Sequence, residues 1–429
     1  MDENSNSNVV DLPTEQAQMA LNKILKETFR LKEYSLQITP GSSKGDNYIG
    51  IIYRVLVKRS VPSLDKELRL IVKMPPMHPQ RREQFFARPC FLREITAYEE
   101  LLPLFKQFQQ EKGIDISSEG FCHAPFSYQC ISENFTEAIF MQDLKLDGYE
   151  MYDRCQEMSY EHALKAIETL AKFHAVSFAI NDQRKSDPAY KKCREMEDIW
   201  LARRDNKTMN DYMAGLSQRA LNTLDAEKDA RIYEKVKNLL TTSYIENLEK
   251  VVGNKVAEPY AIVCHGDFWT NNILFKHKDN KPVEAFLLDF QIIRYASPVT
   301  DLCYFFFTCT SSVFRRQHFQ HLLDLYYEIL NCLINKLGSN PDVVFPKSVF
   351  KEHMQRFGMF GVMMAVMLLP IFVAKSEEAP DLEKAAEKIA DGEDVSKMSE
   401  EETSADTILA YNKRMRDVLY DAFDYNMIP

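Results

Sequence analysis

The sequence is poor in glycine and tryptophan, and it lacks an excess of positive charge. Its 429 residues include 13 Gly and 2 Trp, and 63 Asp and Glu outnumber 53 Lys and Arg. So little glycine excludes a collagen-like or low-complexity chain. The formal net charge of −10 argues against a nucleic-acid partner, because phosphate contacts need a surplus of Lys and Arg. The 27 Phe and 20 Tyr exclude a disordered chain, and the length of 429 residues favours two or three domains with large cores.

The cysteines and the N-terminus also lack the patterns of a secreted protein. Nine cysteines contain no C-x-x-C pair, and their odd number and irregular spacing fit no disulfide framework. Free thiols in a reducing compartment are therefore predicted. Residues 1–13 contain no basic segment followed by an apolar core, so no secretory signal is expected. Both observations favour a cytoplasmic location.

The longest uncharged run is FGMFGVMMAVMLLPIFVA, at residues 357–374. Its 18 residues reach the lower edge of a membrane-spanning length. However, Gly358, Gly361 and Pro370 interrupt the run, and it is rich in flexible Met. These features favour a buried helix of a large helical domain over a membrane span, with the wall of an apolar ligand pocket as a secondary interpretation.

Hydrophobic periodicity predicts an α+β chain. Apolar residues alternate in the first third, which indicates a small antiparallel sheet with at least one helix, whereas helical spacing prevails beyond residue 149. A charged, mainly acidic segment at 376–404 is predicted as a surface excursion that is partly helical at 381–390. The predicted strands are 48–58, 67–74 and 137–141; the predicted helices are 91–105, 160–180, 230–250, 316–336, 350–369 and 407–423.

One segment with strand-like periodicity interrupts the helical region. Residues 271–276 and 283–289 are predicted to form a hairpin, in which positions whose numbers sum to about 560 face each other. Asn271 or Asn272 then lies opposite Leu288 or Asp289, and Asp267 lies in the loop that leads to the same end. Two carboxylates and a carboxamide are hard oxygen ligands of the kind that Mg²⁺ prefers. In phosphoryl transfer, one such carboxylate also orients the acceptor hydroxyl.

These residues resemble a known family. The pattern His-Gly-Asp-x-x-x-x-Asn at 265–272, followed by Asp289-Phe290, matches the aminoglycoside phosphotransferase and choline kinase branch of the protein-kinase-like fold. More narrowly, CHGDFWTNNILF, LLDFQ, LAKFHAVSFA and the turn Gly45-Asp-Asn-Tyr are similar to the ecdysteroid kinase-like family of insects. The resemblance covers about residues 32–420. It implies a two-lobe α+β fold with an N-terminal extension and leading helix at 1–31, a nucleotide-binding sheet lobe at 32–143, and a mainly helical lobe at 144–429.

The resemblance also implies a role for each motif residue. Asp267 would be the catalytic base, and Asn272 and Asp289 would hold Mg²⁺ on the phosphates of ATP. Lys73 would contact the α- and β-phosphates, and Glu94 would pair with Lys73. Strand alternation independently directs Lys73 away from the apolar face of residues 67–74. Taken alone, Lys73 would be interpreted as a solvated lysine, and Glu99 and Glu100 share the helix of Glu94 and compete for its role.

Two further segments would contact the nucleotide. The loop at 41–48, with Gly45 and Asn47, would cover the phosphates, although it lacks G-x-G-x-x-G and a turn without nucleotide contact is nearly as well supported. Gln142, Asp143 and Leu144 would form the hinge whose backbone binds adenine. The family more often has Glu at position 142, which backbone recognition tolerates.

Several other polar residues are interpreted as structural. His265 is expected to pack and hydrogen-bond within the loop rather than to titrate during the reaction. His174, on an apolar helix face, is expected to be a core histidine. Asp301 would either brace the catalytic loop or cap the helix that begins there. The run Phe305-Phe306-Phe307 is core by default, although it is also a candidate wall of an apolar acceptor pocket together with residues 357–372.

The function that the resemblance implies is ATP- and Mg²⁺-dependent phosphorylation of a hydroxyl on a small lipophilic molecule, an ecdysteroid or a hydroxylated xenobiotic. Such a reaction would serve hormone inactivation or detoxification. A choline- or aminoglycoside-type kinase and a catalytically inactive binding protein are the alternatives. A protein kinase is disfavoured, because no Ala-Pro-Glu element or activation segment lies between Asp289 and Asp301. No nucleic acid or membrane span is expected, and the sequence identifies no protein partner.

Overall fold

The computed structural model describes residues 11–41, 50–59, 68–153, 156–253, 255–374 and 404–429. Contacts divide these residues into two compact units. The first unit contains the described residues up to 99 together with 125–150, and the second contains 100–124, 151–374 and 404–429. The predicted phosphate loop with Gly45 and Asn47 and the acidic segment at 376–403 lie outside the described residues.

A five-stranded antiparallel sheet forms the first unit. Its strands are β1 (Tyr34–Pro40), β2 (Ile51–Arg59), β3 (Leu68–Met74), β4 (Ser127–Ile131) and β5 (Ala138–Gln142), in the order β1-β2-β3-β5-β4. The three strands predicted from alternation, which correspond to β2, β3 and β5, are confirmed. Alternation does not predict β1 and β4, because most of their side chains are partly exposed on both faces.

The core of the first unit lies on one face of this sheet. Leu70 and Val72 of β3 are completely buried and belong to one cluster with Leu21 of helix α1 (Glu15–Lys23). Burying side chains of this size contributes about 1.5–3 kcal/mol each. Because successive side chains of a strand point to opposite faces, Lys73 lies on the other face of β3. Helices α2 (Pro79–Gln84) and α3 (Ala87–Thr96) follow the strand.

The second unit is mainly helical. The helix predicted at 91–105 continues from α3 through a π-helical turn, Ala97–Leu101, into α4 (Leu102–Glu111). Short strand β6 (Tyr149–Met151) precedes the long helix α5. The remaining helices are α5 (Tyr160–Gln183), α6 (Pro188–Glu195), α7 (Lys207–Leu221), α8 (Ala230–Thr241), α9 (Tyr244–Val252), α10 (Val299–Cys309), α11 (Ser312–Lys336), α12 (Pro341–Val344), α13 (Lys347–Phe357), α14 (Met359–Phe372) and α15 (Ala405–Asp424).

Two predicted helices are wrong as single helices. The segment 230–250 is divided into α8 and α9, because Thr242 is extended and the Ser243 side chain caps a new helix by accepting from the Glu246 N–H at 3.5 Å. The segment 350–369 is divided at Gly358 into α13 and α14. A Cβ at Gly358 would lie 2.4 Å from the Met354 carbonyl oxygen, and this close backbone approach favours glycine.

The apolar run at 357–374 lies largely in α14, most of whose side chains are buried. Among the described residues, no single helix is long and apolar enough to cross a membrane. The segments Pro341–Phe357 and Met359–Phe372 reach that length and composition only as a pair, across a bend of 41°. The eight described cysteines are all free thiols, as predicted, and five of them are buried.

Two pairs of short strands position the segments that carry Asp267, Asn272 and Asp289. Strand β7 (Ile262–Cys264) pairs with β10 (Arg294–Ala296), and β8 (Ile273–Lys278) pairs with β9 (Lys281–Leu287), both antiparallel. In the β8–β9 hairpin, Ile273 faces Leu287 and Lys276 faces Glu284, so the predicted sum of 560 is confirmed. Just beyond the pair, the Leu288 N–H donates to the Asn272 carbonyl at 2.9 Å.

Candidate functional site

The segment from His265 to Asn272 forms the loop between β7 and β8. Gly266 gives this loop its shape, because its φ of +86° is a conformation that residues with a side chain rarely adopt. A Cβ at Gly266 would lie 2.0 Å from the Ile292 carbonyl oxygen, which is much closer than atoms can approach. The backbone of the segment after Asp289 therefore packs directly against Gly266, and only glycine fits there.

Asp267 is held by two hydrogen bonds to its carboxylate. The Asn272 amide donates to Oδ2 at 2.8 Å and also to the Asp267 carbonyl at 3.0 Å. A 3₁₀ turn, Thr270–Asn272, brings the Asn272 side chain back onto the loop. The Tyr304 hydroxyl of α10 donates to Oδ1 at 2.8 Å. Tyr304 was not predicted from the sequence, since it adjoins a run of phenylalanines interpreted as core.

The ionisation of Asp267 is shifted towards neutrality. Burial is the main cause that raises its pKa to about 6, and the negative charge of Asp289 adds to the increase. The hydrogen bonds from Tyr304 and Asn272 oppose that increase without cancelling it. Burial and the charge of Asp267 in turn raise the pKa of Tyr304 well above its usual value, so the phenol remains a donor. A base with a pKa near neutrality is suited to accept a proton at physiological pH.

Asp289 and Asn272 are the candidate metal ligands. Asp289 is half-buried directly after the β8–β9 hairpin, and its φ of +65° turns the chain out of the strand. Because the Asn272 nitrogen donates to Asp267, the amide oxygen of Asn272 is the atom left for a cation. Two carboxylates close enough to raise a pKa, together with one amide oxygen, form a donor set that fits Mg²⁺.

Asp301, in the first turn of α10, stabilises the backbone of the loop that carries Asp267. Its two carboxylate oxygens accept the His265 and Gly266 backbone N–H groups at 2.7 and 2.9 Å, and His174 contacts Oδ2 at 3.1 Å. Although burial alone raises the pKa of Asp301, the hydrogen bonds from His174 and Gly266 hold that pKa below its usual range. The predicted brace is confirmed, since Asp301 lies within the first turn of α10 and makes no capping hydrogen bond.

The two predicted structural histidines have the expected environment. His174 is completely buried and contacts the Tyr326 hydroxyl at 2.7 Å with its other nitrogen. His265 Nε2 contacts the Leu288 carbonyl at 2.9 Å, and Nδ1 accepts the Asp267 N–H at 3.3 Å. A carbonyl can only accept, so Nε2 carries the proton of a neutral ring, and burial lowers the pKa of His265. Both interpretations are confirmed.

One buried cluster in this region has the spacing of a metal site. Side-chain ligand atoms of His174, Cys264 and Asp301 lie within 4.8 Å of one another. Burial raises the pKa of Cys264 well above its usual value, which keeps it a protonated thiol and a poor metal ligand. Since Asp301 already accepts two backbone N–H groups, the cluster is a structural brace.

A buried arginine that sequence reasoning missed lies near Asp267. Arg294 of β10 is 2 % exposed, its Nε lies 3.3 Å from Asp198 Oδ2, and its guanidinium lies over the Phe360 ring at 4.7 Å. Within the described part of the chain, Nη1 and Nη2 of Arg294 have no hydrogen-bond partner. The positive charge of Arg294 lowers the pKa of Asp267, although burial and Asp289 outweigh it. A single Arg within the otherwise apolar segment IIRYA is the sequence feature that could have indicated a buried arginine.

The first unit contains the predicted lysine–glutamate pair. Lys73 Nζ lies 2.7 Å from Glu94 Oε2, and the two side chains are only 3 % and 1 % exposed. The Phe91 ring, 5.8 Å from the ammonium, covers part of the pair. The solvated-lysine interpretation of Lys73 is therefore wrong, because burial and pairing replace water around the ammonium. Of the three glutamates on this helix, Glu94 is confirmed as the partner.

The predicted hinge lies at the end of β5. The Gln142 side-chain amide donates to Asp147 at 2.7 Å, so this side chain is engaged locally. Asp143 is 4 % exposed, lies 3.4 Å from Arg54, and accepts the Lys145 N–H at the start of the 3₁₀ turn Leu144–Asp147. With these side chains occupied, only the backbone of the hinge remains suited to bind a base, and that role remains a prediction.

Comparison with known proteins identifies the family. A model of the ecdysteroid kinase-like family matches residues 44–339, which is more than half of the chain. The chain belongs to the ecdysteroid kinase-like family. The matched region includes both the Lys73–Glu94 pair and the Asp267 loop. Membership of this family of kinase-like phosphotransferases confirms the predicted α+β, protein-kinase-like fold.

More distant similarities extend over most of this ecdysteroid kinase-like chain. The GDP complex of wild-type aminoglycoside 2'-phosphotransferase-IIIa is 10% identical, with 94% of this chain and 99% of that chain covered and a TM-score of 0.42. Ethanolamine kinase from Plasmodium vivax is 12% identical, with 96% and 90% covered and a TM-score of 0.39. No curated protein matches the chain.

Proposed function

We propose that the chain is an ATP- and Mg²⁺-dependent phosphotransferase that acts on a hydroxyl group of a small lipophilic molecule. The arrangement of Asp267 carries this proposal. Its carboxylate is oriented by Tyr304 and Asn272, and burial together with the charge of Asp289 raises its pKa to about 6. Family membership supports an ecdysteroid or a related hydroxylated molecule as the acceptor. Such a reaction would serve hormone inactivation or detoxification.

In the proposed reaction, Asp267 accepts the proton of the acceptor hydroxyl while the hydroxyl oxygen attacks the γ-phosphorus of ATP. The bond from that phosphorus to the bridging oxygen breaks, ADP leaves, and Asp267 later releases its proton to water. Tyr304 and Asn272 orient the carboxylate throughout. Lys73, whose ammonium is held by Glu94, is proposed to contact the α- and β-phosphates.

Asn272 and Asp289 would hold the magnesium ion. Bound Mg²⁺ neutralises charge on the phosphates and favours the ionised form of nearby carboxylates. The second effect matters for this chain, because Asp267 and Asp289 repel each other in its absence. The hinge backbone at Gln142, Asp143 and Leu144 is proposed to bind adenine, and Gly45 and Asn47 are proposed to lie near the phosphates.

Phosphate transfer to candidate alcohols tests the proposal. Purified protein is incubated with Mg-ATP and ecdysone, hydroxylated plant toxins, choline or ethanolamine, and ADP release and the phosphorylated product are measured. We expect transfer to a neutral lipophilic alcohol and its loss in Asp267→Asn, whereas Asp205→Asn, a change of an exposed carboxylate, retains it. Transfer to choline alone would favour the choline-type alternative. Stabilisation by Mg-ATP without any transfer would favour a binding protein.

A further inference from the structure

A cavity of about 210 Å³ in the second unit shares the catalytic loop with Asp267. Trp269, which lies on its wall, donates its backbone N–H to the Asp267 carbonyl at 3.1 Å. Pockets for whole drug-sized ligands have volumes of about 300–1,000 Å³, so this cavity suits one end of a larger molecule. The side chains that bear on its specificity are Trp269, Thr308, Ser311, Phe372, Arg414 and Glu157.

One part of the cavity wall is aromatic. The rings of Trp269 and Phe372 are stacked with centroids 4.3 Å apart and planes 8° apart. The two side chains are 7 % and 5 % exposed, so packing fixes them in place. Phe372 is the last residue of α14, which shows that the apolar run contributes to the cavity at its C-terminal end. The run at Phe305–Phe307 is fully buried and does not line this cavity.

The polar part of the wall carries one positive and one negative side chain. Arg414 of α15 is half-buried, and its Nη2 donates to the Thr308 carbonyl at 2.6 Å. Thr308 is linked to the catalytic base through its hydroxyl, which donates to the carbonyl of Tyr304. Glu157 is exposed and accepts the Ser311 hydroxyl, and its charge acts on Arg414. The positive charge of Arg414 thus compensates the negative charge of Glu157 within the cavity.

A cationic ligand would need a cavity without a positively charged side chain on its wall. An alkylammonium group is bound by open aromatic faces or by carboxylates without a cationic neighbour. In this cavity the two rings cover each other, and the half-buried guanidinium would repel an incoming ammonium. A neutral ring system with hydroxyl or carbonyl groups meets apolar ring edges and a hydrogen-bond donor instead.

We infer that this cavity is the acceptor subsite and that Arg414 makes it selective for neutral hydroxylated lipophiles over amino alcohols. The inference rests on the proposed phosphotransferase function and identifies its acceptor class. Arg414 acts through binding and does not contact the reacting atoms, so it is a specificity residue. Its replacement is therefore expected to change KM for the acceptor and to change kcat little.

The two tryptophans of the chain allow binding to be tested without catalysis. In Trp200→Phe, all tryptophan emission comes from Trp269. Titration of this variant with ecdysone, in the absence of nucleotide, is expected to change the emission saturably. Choline is expected to leave it unchanged at a hundredfold higher concentration. A saturable response to choline at the ecdysone concentration would overturn the inference, as would the absence of any response to ecdysone.

Charge reversal tests the role of Arg414. We expect Arg414→Glu to raise KM for ecdysone about tenfold and to lower KM for choline. Lys413→Glu, an exposed charge reversal at the preceding position of the same helix, is the matched control and should change neither value. If Arg414→Glu does not fold, Arg414→Gln replaces it, because Gln retains a donor for the Thr308 carbonyl. Equal KM values in the Arg414 and Lys413 variants would refute the specificity role.

The outcomes separate this inference from the proposed function. Transfer to ecdysone with KM unchanged in Trp269→Ala and in the Arg414 variants would overturn the subsite and leave the phosphotransferase proposal standing. A Trp269 response to ecdysone, retained in Asp267→Asn, without transfer in any variant would overturn the phosphotransferase proposal. The cavity would then still be a site for neutral lipophiles.

Discussion

Replacement of Asp267 by Asn should stabilise the protein while it abolishes catalysis. The carboxylate is half-buried near Asp289, and its pKa is raised from 3.8 to about 6. Folding therefore favours the protonated form of this residue. Below the usual pKa of 3.8, the wild-type side chain is neutral in both the folded and the unfolded states. As the pH rises through 6, the folded protein must hold the charge, and the stability that protonation gave is lost.

The size of the effect follows from the same values. A pKa raised from 3.8 to about 6 corresponds to about 3 kcal/mol of folding free energy, fully expressed above pH 6. Asn at position 267 is neutral at every pH. It keeps both hydrogen-bond partners, because its oxygen accepts from Asn272 and its nitrogen donates to the Tyr304 hydroxyl, which can act as an acceptor. For a unit of this size, the melting temperature should rise by several degrees.

The assay is thermal unfolding of both proteins in EDTA between pH 4 and pH 8. The stability difference between Asp267→Asn and wild type should be near zero at pH 4 and should grow up to pH 7. Asp205→Asn, which neutralises an exposed carboxylate, is expected to show no such growth. Saturating Mg²⁺ should reduce the difference, because the cation compensates the charge. A constant difference across this pH range, or destabilisation of Asp267→Asn at pH 7, would refute the reasoning.

Three further substitutions test other contacts. Lys73→Met should abolish the stabilisation by Mg-ATP in a thermal-shift assay, whereas Arg69→Met, on the same face of β3, should retain it. Gly266→Ala should destabilise the fold by more than about 1 kcal/mol and lower kcat, because φ at this position is positive and the Ile292 carbonyl occupies the space of the Cβ. Denaturant unfolding and ADP release measure these two effects. Asp198→Asn should lower the free energy of unfolding by about 3–5 kcal/mol in the same assay, because Arg294 would remain as a buried charge without its counterion. An unchanged denaturation midpoint would contradict this expectation.

The convergence of Asp267, Asn272 and Asp289 was predictable because it depends on local pairing. The β8–β9 hairpin has a short connection, so the register follows from residue numbers, and Asn272 must meet the chain near Asp289. The Lys73–Glu94 pair was predictable for another reason. Alternation in β3 determines the face of Lys73, and the family pattern selected Glu94 from three candidates.

The residues that sequence reasoning missed act over long distances. Tyr304 reaches Asp267 from a helix that begins after the next strand pair, and its neighbours are phenylalanines with no polar role. Arg294 and Asp198 are far apart in the chain, and neither belongs to a local pattern. The break at Ser243 involves a side-chain cap, and the break at Gly358 involves a close approach of the Met354 carbonyl; periodicity detects neither.

The polar groups around Asp267 have a stability cost that the neighbouring helix offsets. Asp301 and His174 are completely buried; Asp301 accepts two backbone N–H groups of the loop on which Asp267 lies, and His174 contacts Asp301. Burial of such groups is tolerated only when every partner is in place, so losing one partner weakens the whole network. The Phe305–Phe307 run lies on the same helix as Asp301 and is fully buried, and each ring buries about 150–250 Å². The buried phenylalanines of α10 thus stabilise the helix that carries the polar residues Asp301 and Tyr304.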